Sequence, residues 1–398
     1  MSDTSISLHQ WAANASADYF AQRNGAPIPV ILTSRPGEGK SSIVETIVIN
    51  NLDKALAARD LPTNTTPDTE RPQGHHIHWS DHGRVAVLTD MPAGRDAPDY
   101  RGFLIPMKDG TSKYTKPDLI CDVENLYAAG AQAVILFLDE IGQAEPLVQK
   151  SLADLLLNLR LGCHSLDRRT WIIGATNRVN DHAGVSRMLS INRNRVNTIE
   201  VHMEVQHWAP WAERRALPPI GIALARSFPG KIAVDAPPKD GPFPSWRSFT
   251  DALIWLDAYK SHLGMTDAMA VPFGLDGYAE AKVAGFIGEG LTHEFAAFAR
   301  LVGELPKLDE ILSNPLHCRV PSSTRLDAQY ACAQMLVHYC NLKTSGALWT
   351  YAERLIPELT VSIAQGMLAK AGGTLMGDKA FQVWLTNPDN AARVHASV

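Results

Sequence analysis

The sequence contains no long hydrophobic run. Nowhere in its 398 residues does an uninterrupted apolar stretch approach the roughly 20 needed to cross a bilayer, so a membrane partner is not expected. Cysteine is scarce: the five present, Cys121, Cys163, Cys318, Cys332 and Cys340, are odd in number and scattered, which suits reduced thiols and not a disulfide framework. There is no block of like charge. The 42 acidic and 37 basic residues leave a net −5 with no basic tail, which disfavours a nucleic-acid partner while leaving room for a small basic pore. The first residues, MSDTSISLHQ, lack the basic-then-apolar pattern of a secretion signal, and the expected location is cytoplasmic. Internal repeats and low-complexity segments are absent as well. What is present is an ordinary globular composition, 45% apolar and 20% charged, long enough for two or three domains.

Short β-like runs alternate with helical ones over the first two hundred residues, the pattern of a parallel sheet with crossover helices. Pro29–Leu32, Val85–Leu88, Val134–Leu138, Trp171–Ile173 and Asn197–Met203 read as strands. Ile43, Val44, Ile47, Val48, Leu52 and Leu56 recur at helical spacing after Lys40. The polar stretch Pro62–Arg84 reads as a loop or insertion. From about His207 the chain becomes helical, broken by the Pro/Gly-rich stretch Ala236–Pro244, and beyond His293 it is helix after helix. The expected fold is an α/β P-loop core with a parallel sheet, followed by a helical lid and a helical C-terminal region. The expected boundaries are 1–205, 206–290 and 291–398.

Four segments carry chemistry. The first, Ser34–Ser42 (SRPGEGKSS), approximates G-x-x-x-x-G-K-[ST], with Ser34 where the pattern has its first glycine. Gly37 and Gly39 let successive backbone N–H groups turn inward around a phosphate. Lys40 would reach the β- and γ-phosphates of ATP, Ser41 would bind Mg²⁺, and Pro36, Glu38 and Ser42 complete the nucleotide-contacting set. The helix that follows aims its positive end at the same anion. The second is the apolar strand Leu136–Leu138 ending in Asp139 and Glu140, placed to hold Mg²⁺ and to polarise an attacking water respectively. The third is Gly174–Arg178 (GATNR), whose Asn177 is expected between the first two in a parallel sheet. The fourth is an arginine set, Arg187, Arg193 and Arg195, able to stabilise charge on a transferring phosphoryl group.

In that order, these motifs resemble the AAA+ ATPases, and more closely the MoxR-type branch. The residues that carry the resemblance are RPGEGKS, ILFLDEIGQAEPLVQKSL, WIIGATNR and SRMLSINRNRVNTIEV, all between about Ile28 and Leu256. PFPSWRSF resembles that branch's second sensor and would place Arg247 near the γ-phosphate. DAPDYRGFLIP, Asp96–Pro106, resembles a segment that faces the central pore in many AAA+ rings. The resemblance implies a homo-oligomer, most often a hexameric ring, hydrolysing ATP between subunits. It makes Arg195 the first candidate for a finger reaching the neighbour's nucleotide, and Arg187 the second, although Val196 stands where the motif usually has phenylalanine. It also implies a chaperone-like remodeller of a protein client, working with a von Willebrand factor A-type partner.

Two other readings use the same core. A nucleic-acid motor or loader would draw on pore lysines such as Lys108, Lys113 and Lys116. A small-metabolite kinase would have no use for Glu140, Asn177 or the arginines. Away from these motifs, His75, His76, His78 and His82 read as a solvated loop. Cys163–His164 and His317–Cys318 read as isolated pairs, and Trp208 with Trp211 as core packing.

Overall fold

A strand buried on both faces must be apolar at nearly every position, and the strands of this chain meet that demand. The computed structural model describes residues 5–178, 189–234, 237–238, 240–267, 269–275, 277–301, 305–341, 343–371, 373–388 and 390–391. They form two units, Met1–Met203 with Asp235–Pro237, and Glu204–Val234 with Pro238–Val398.

The first unit is built on a seven-stranded sheet. Its strands are β1 (Ile6–Ser7), β2 (Val30–Ser34), β3 (Ile77–Trp79), β4 (Val85–Asp90), β5 (Ala133–Leu138), β6 (Thr170–Asn177) and β7 (Asn197–His202). The spatial order is β1-β7-β2-β6-β5-β4-β3. All neighbours run parallel except the antiparallel edge pair β3–β4.

Alternate residues serve opposite faces, as the two-residue period of a strand requires. Val85, Val87, Ala133, Ile135 and Phe137 pack on one side with Leu8, Trp11, Val48 and Leu52. Ala86, Leu88, Val134, Leu136 and Leu138 pack on the other with Leu119, Val123, Leu152 and Leu155. Each fully buried Val, Leu, Ile or Phe among them contributes about 1.5–3 kcal/mol relative to exposure. Gly174 of β6 is fixed by packing: a Cβ there would sit 2.4 Å from Cδ1 of Ile31 on β2.

The expected α/β P-loop core with a parallel sheet is present, and helices make up the described chain after it. Three local details go beyond what the sequence pattern indicates. Pro62–Arg84 is not only loop, because Ile77–Trp79 forms the edge strand β3. The helix after the glycine-rich loop is not uniform: α-helical Lys40–Ile43 passes into a π-helical stretch Val44–Val48 and then into α-helical Ile49–Ala57. After β4, Leu104–Pro106 and Ser112–Tyr114 pair as an antiparallel hairpin. Its apolar residues Phe103, Leu104 and Ile105 are exposed by about half or more.

The second unit is helical among its described residues. Val205–Arg214, Pro219–Ser227, Trp246–His262, Leu326–Tyr339 and Pro357–Ala371 are its principal helices. Tyr278–Leu301 consists of two helices that meet at Gly288, whose φ of 78° is open to glycine at little cost. Trp208 lies in the core beside Trp246 and Phe249 and donates its indole N–H to Thr250. Trp211 departs from the core-packing expectation: it is 37% exposed, with Arg215 over its ring. Of the expected break at Ala236–Pro244, Ala236 and Lys239 lie outside the described residues.

Candidate functional site

In an open parallel sheet, the loops that follow the strands gather at one edge, where the polar residues at the strand ends meet. Here β6 lies between β2 and β5, with Asn177 in register with Ser34 and Gly174 with Leu138. The ends of three motif-bearing segments are thereby brought side by side.

The glycine-rich loop leaves β2 at Arg35 and enters the helix at Lys40. Gly37 and Gly39 have φ values of 74° and 82°, left-handed backbone that costs other residues roughly 1–2 kcal/mol. Lys40 is 8% exposed, so its ammonium needs polar partners. It donates to Ser34 Oγ at 2.7 Å and to Asn177 Oδ1 at 3.4 Å. Ser34, which replaces the pattern's first glycine, is thus part of the site: its hydroxyl accepts from Lys40 and donates to the Arg35 carbonyl at 2.8 Å. In the sequence alone this position reads only as a missing glycine.

Ser41 Oγ donates to Asp139 Oδ2 at 2.8 Å, joining the helix start to the end of β5. A hydroxyl and a carboxylate so close are hard oxygen donors of the type Mg²⁺ takes, usually with waters and substrate phosphates completing its shell. The Asp139 backbone N–H donates to the Asp90 carbonyl at 2.8 Å. Glu140, half-buried, has a φ of 54°, an uncommon setting for a side chain of its size. Its backbone N–H donates to Asp139 Oδ1 at 3.0 Å.

Not every anticipated residue joins this cluster. Glu38 is 1% exposed and its carboxylate is ion-paired with Arg35 at 2.6 Å, while its second oxygen accepts the Met203 backbone N–H. Ser42 is exposed and Pro36 half-buried. Arg195 is turned to the helix Pro146–Asn158, donating to the Ala153 carbonyl, while its own carbonyl accepts from Arg23 at 3.0 Å. Arg193 is exposed. Arg187 lies outside the described residues. Arg247 is exposed in the first turn of Trp246–His262 in the second unit. That helix begins with a capping box in which Ser245 and Ser248 exchange side-chain and backbone hydrogen bonds.

A buried carboxylate beside the cluster is not anticipated by the motifs. Asp90 ends β4, its side chain 3% exposed, and takes Arg95 Nη2 at 2.8 Å and the Tyr100 hydroxyl at 2.5 Å. Burial first, and then the charge of Asp90, push the Tyr100 phenol well above its ordinary range, so it stays a donor. This triad anchors the segment that runs into the apolar hairpin. The signal is present in the sequence: Asp90 is an acid at the end of an apolar strand, as Asp139 is. Asp90 and Arg95 also line a cavity of about 310 Å³ with His75 and His76. His78 lies 3.6 Å from Glu45, and His82 3.5 Å from Asp53.

A glycine-rich strand-to-helix loop with a buried lysine, next to a strand that ends in a carboxylate, defines the P-loop class of α/β folds. No protein-family model matches the chain, and no curated protein does. Solved structures similar to it include the ORC2 protein of Aeropyrum pernix in ADPNP–ADP complexes, at 13% identity over 96% of this chain and 86% of that one, with a TM-score of 0.40. A mutant RuvB of Thermotoga maritima matches at 14% identity over 77% and 74%, with a TM-score of 0.35. NtrX of Brucella abortus matches at 12% identity over 100% and 69%, with a TM-score of 0.36. Likeness at this level carries no weight beside the site's own geometry. No described helix is long and apolar enough to cross a membrane.

Proposed function

We propose that the chain is an AAA+ ATPase of the MoxR type that hydrolyses ATP to ADP and phosphate and uses the cycle to remodel a protein partner. The observation that carries this reading is the convergence of Lys40, Ser41, Asp139 and Asn177 at one sheet edge. In it, Lys40 leaves Ser34 and Asn177 for the β- and γ-phosphates. Ser41 and Asp139 would hold Mg²⁺, which would offset the charge of the phosphates. Glu140 takes a proton from the attacking water, and Asn177 orients that water or the γ-phosphate once Lys40 has released its amide oxygen.

The remaining parts of the reading concern assembly. A hexameric ring would place Arg195, or Arg187, at the neighbour's nucleotide, and Arg247 would act as the second sensor. Arg195 must then exchange the Ala153 carbonyl for a phosphate. Phe103, Leu104 and Ile105, exposed on the hairpin after β4, supply an apolar surface suited to a protein client. A partner of von Willebrand factor A type and a cytoplasmic setting belong to the same reading.

The test is Mg²⁺-dependent phosphate release from ATP by the purified chain, followed by mixing Arg195→Ala with Lys40→Ala subunits. Partial recovery of turnover at mixed interfaces is the expected result. An assembled mixed ring with no recovery removes the shared site, and absence of phosphate release in the unmodified chain removes the ATPase assignment. Salt-dependent binding to single- or double-stranded DNA would move the client from protein to nucleic acid.

A further inference from the structure

A carboxylate is an unexpected occupant of a loop shaped to receive phosphate, and Glu38 sits between the two glycines that shape it. Its side chain is 1% exposed, so it does not lie out in solvent away from the site. The left-handed backbone at Gly37 and Gly39 turns the loop so that Glu38 points to two partners. One is Arg35, three residues earlier in the same motif, at 2.6 Å. The other is the backbone N–H of Met203, the last residue of the first unit before the chain enters the second at Glu204. The side chain of Met203 meets the same loop, its Cε 3.5 Å from where a Cβ on Gly39 would be. The next residue, Glu204, is the N-cap of the helix Val205–Arg214. One carboxylate therefore joins the loop to the residue that leads the chain into its second unit.

We propose that Glu38 is a positioning residue that couples occupancy of the phosphate loop to the connector Met203–Glu204. The inference rests on the loop being the ATP site proposed above. Phosphate entering the loop brings negative charge close to a buried carboxylate with little water to screen it. Arg35 offsets part of that repulsion. Any adjustment of Glu38 must then alter its hydrogen bond to Met203, because both carboxylate oxygens are engaged. Nucleotide state is thereby felt at the connector without a nucleotide contact there.

Amide hydrogen exchange of the full chain tests this, with and without Mg²⁺ and a non-hydrolysable ATP analogue, alongside analogue affinity from a fluorescence titration. In the unmodified protein the exchange rate at Met203–Gln206 is expected to change severalfold on analogue binding. Glu38→Ala is expected to bind the analogue and lose that nucleotide-dependent change. The near-isosteric Glu38→Gln keeps an acceptor for Met203 but loses the charge facing Arg35, and is expected to retain part of it. A general loss of packing would raise exchange equally in both nucleotide states, so the difference between the states is the diagnostic quantity. The proposal is overturned if the unmodified chain binds the analogue with no change at Met203–Gln206. It is equally overturned if either variant responds as fully as the unmodified chain. Failure of the unmodified chain to bind the analogue overturns the ATP-site reading itself.

Discussion

One cluster of buried polar groups in each unit shows two different uses of burial. In the first, Ser34, Glu38, Lys40 and Asp90 are all less than a tenth exposed, and each lies at the end of a strand or in the loop leaving it. In the second, Arg226 donates to Gln334 at 2.9 Å and pairs with Glu213 at 3.0 Å, while Gln334 donates to Glu213 at 2.9 Å. That triangle ties Val205–Arg214 and Pro219–Ser227 to Leu326–Tyr339. Sheet direction collects polar side chains at one edge, where they can act on a ligand together. Helix pairing spreads them among contacts, where they satisfy one another. The buried groups at that edge are thus candidates for chemistry, whereas the triangle of the second unit is a fastening, as is the buried ion pair of Asp53 with Arg84 at 2.7 Å in the first.

Substitutions can break that contrast, and the largest effect is expected at Lys40. Lys40→Ala removes the loop's cation and should abolish ATP binding, as measured by equilibrium titration; normal turnover in this variant would return the whole cluster to a packing role. Glu140→Gln should leave binding intact and slow hydrolysis by about 10²–10⁴-fold, the usual range for a lost general base, in single-turnover assays. For the second unit, Glu213→Ala leaves Arg226 without its carboxylate and Gln334 without an acceptor. A loss of about 3 kcal/mol in denaturant unfolding is expected, and a neutral result would show that the triangle fastens nothing.

The smallest effect is a pH dependence. Burial, followed by Lys370 and Lys260, lowers the His338 imidazole to about 4, with Asp267 acting weakly against them. Between its ordinary 6.5 and that value the unfolded chain binds the proton and the folded chain does not. Stability from this group is therefore complete above about 6.5 and drains as pH falls toward 4. His338→Gln should flatten that part of the stability–pH curve.

The contrast also explains what is legible in the sequence. Parallel strands buried on both faces are nearly continuous apolar runs, so Val85–Leu88, Val134–Leu138 and Trp171–Ile173 stand out, and with them the residues at their ends. Edge strands do not. Ile6–Ser7 and Ile77–Trp79 are short, and each is held by a single neighbouring strand. Side-chain direction is also hidden. Nothing local to Glu38 reveals that it faces Met203, because that contact spans 165 positions and depends on the turn set by its flanking glycines. Ser34 looks like a defect in a motif until Lys40 is seen to rest on its hydroxyl.

The left-handed backbone at Glu140 has a bearing on how this protein would respond to selection. A glutamate at φ 54° carries a conformational cost of about 1 kcal/mol or more that glycine would relieve. A screen for heat resistance alone should therefore enrich Glu140→Gly, a variant more durable than its parent and, under the proposed mechanism, unable to activate water. Durability and turnover would pull in opposite directions at a single position, and a library scored on both should keep the strained residue.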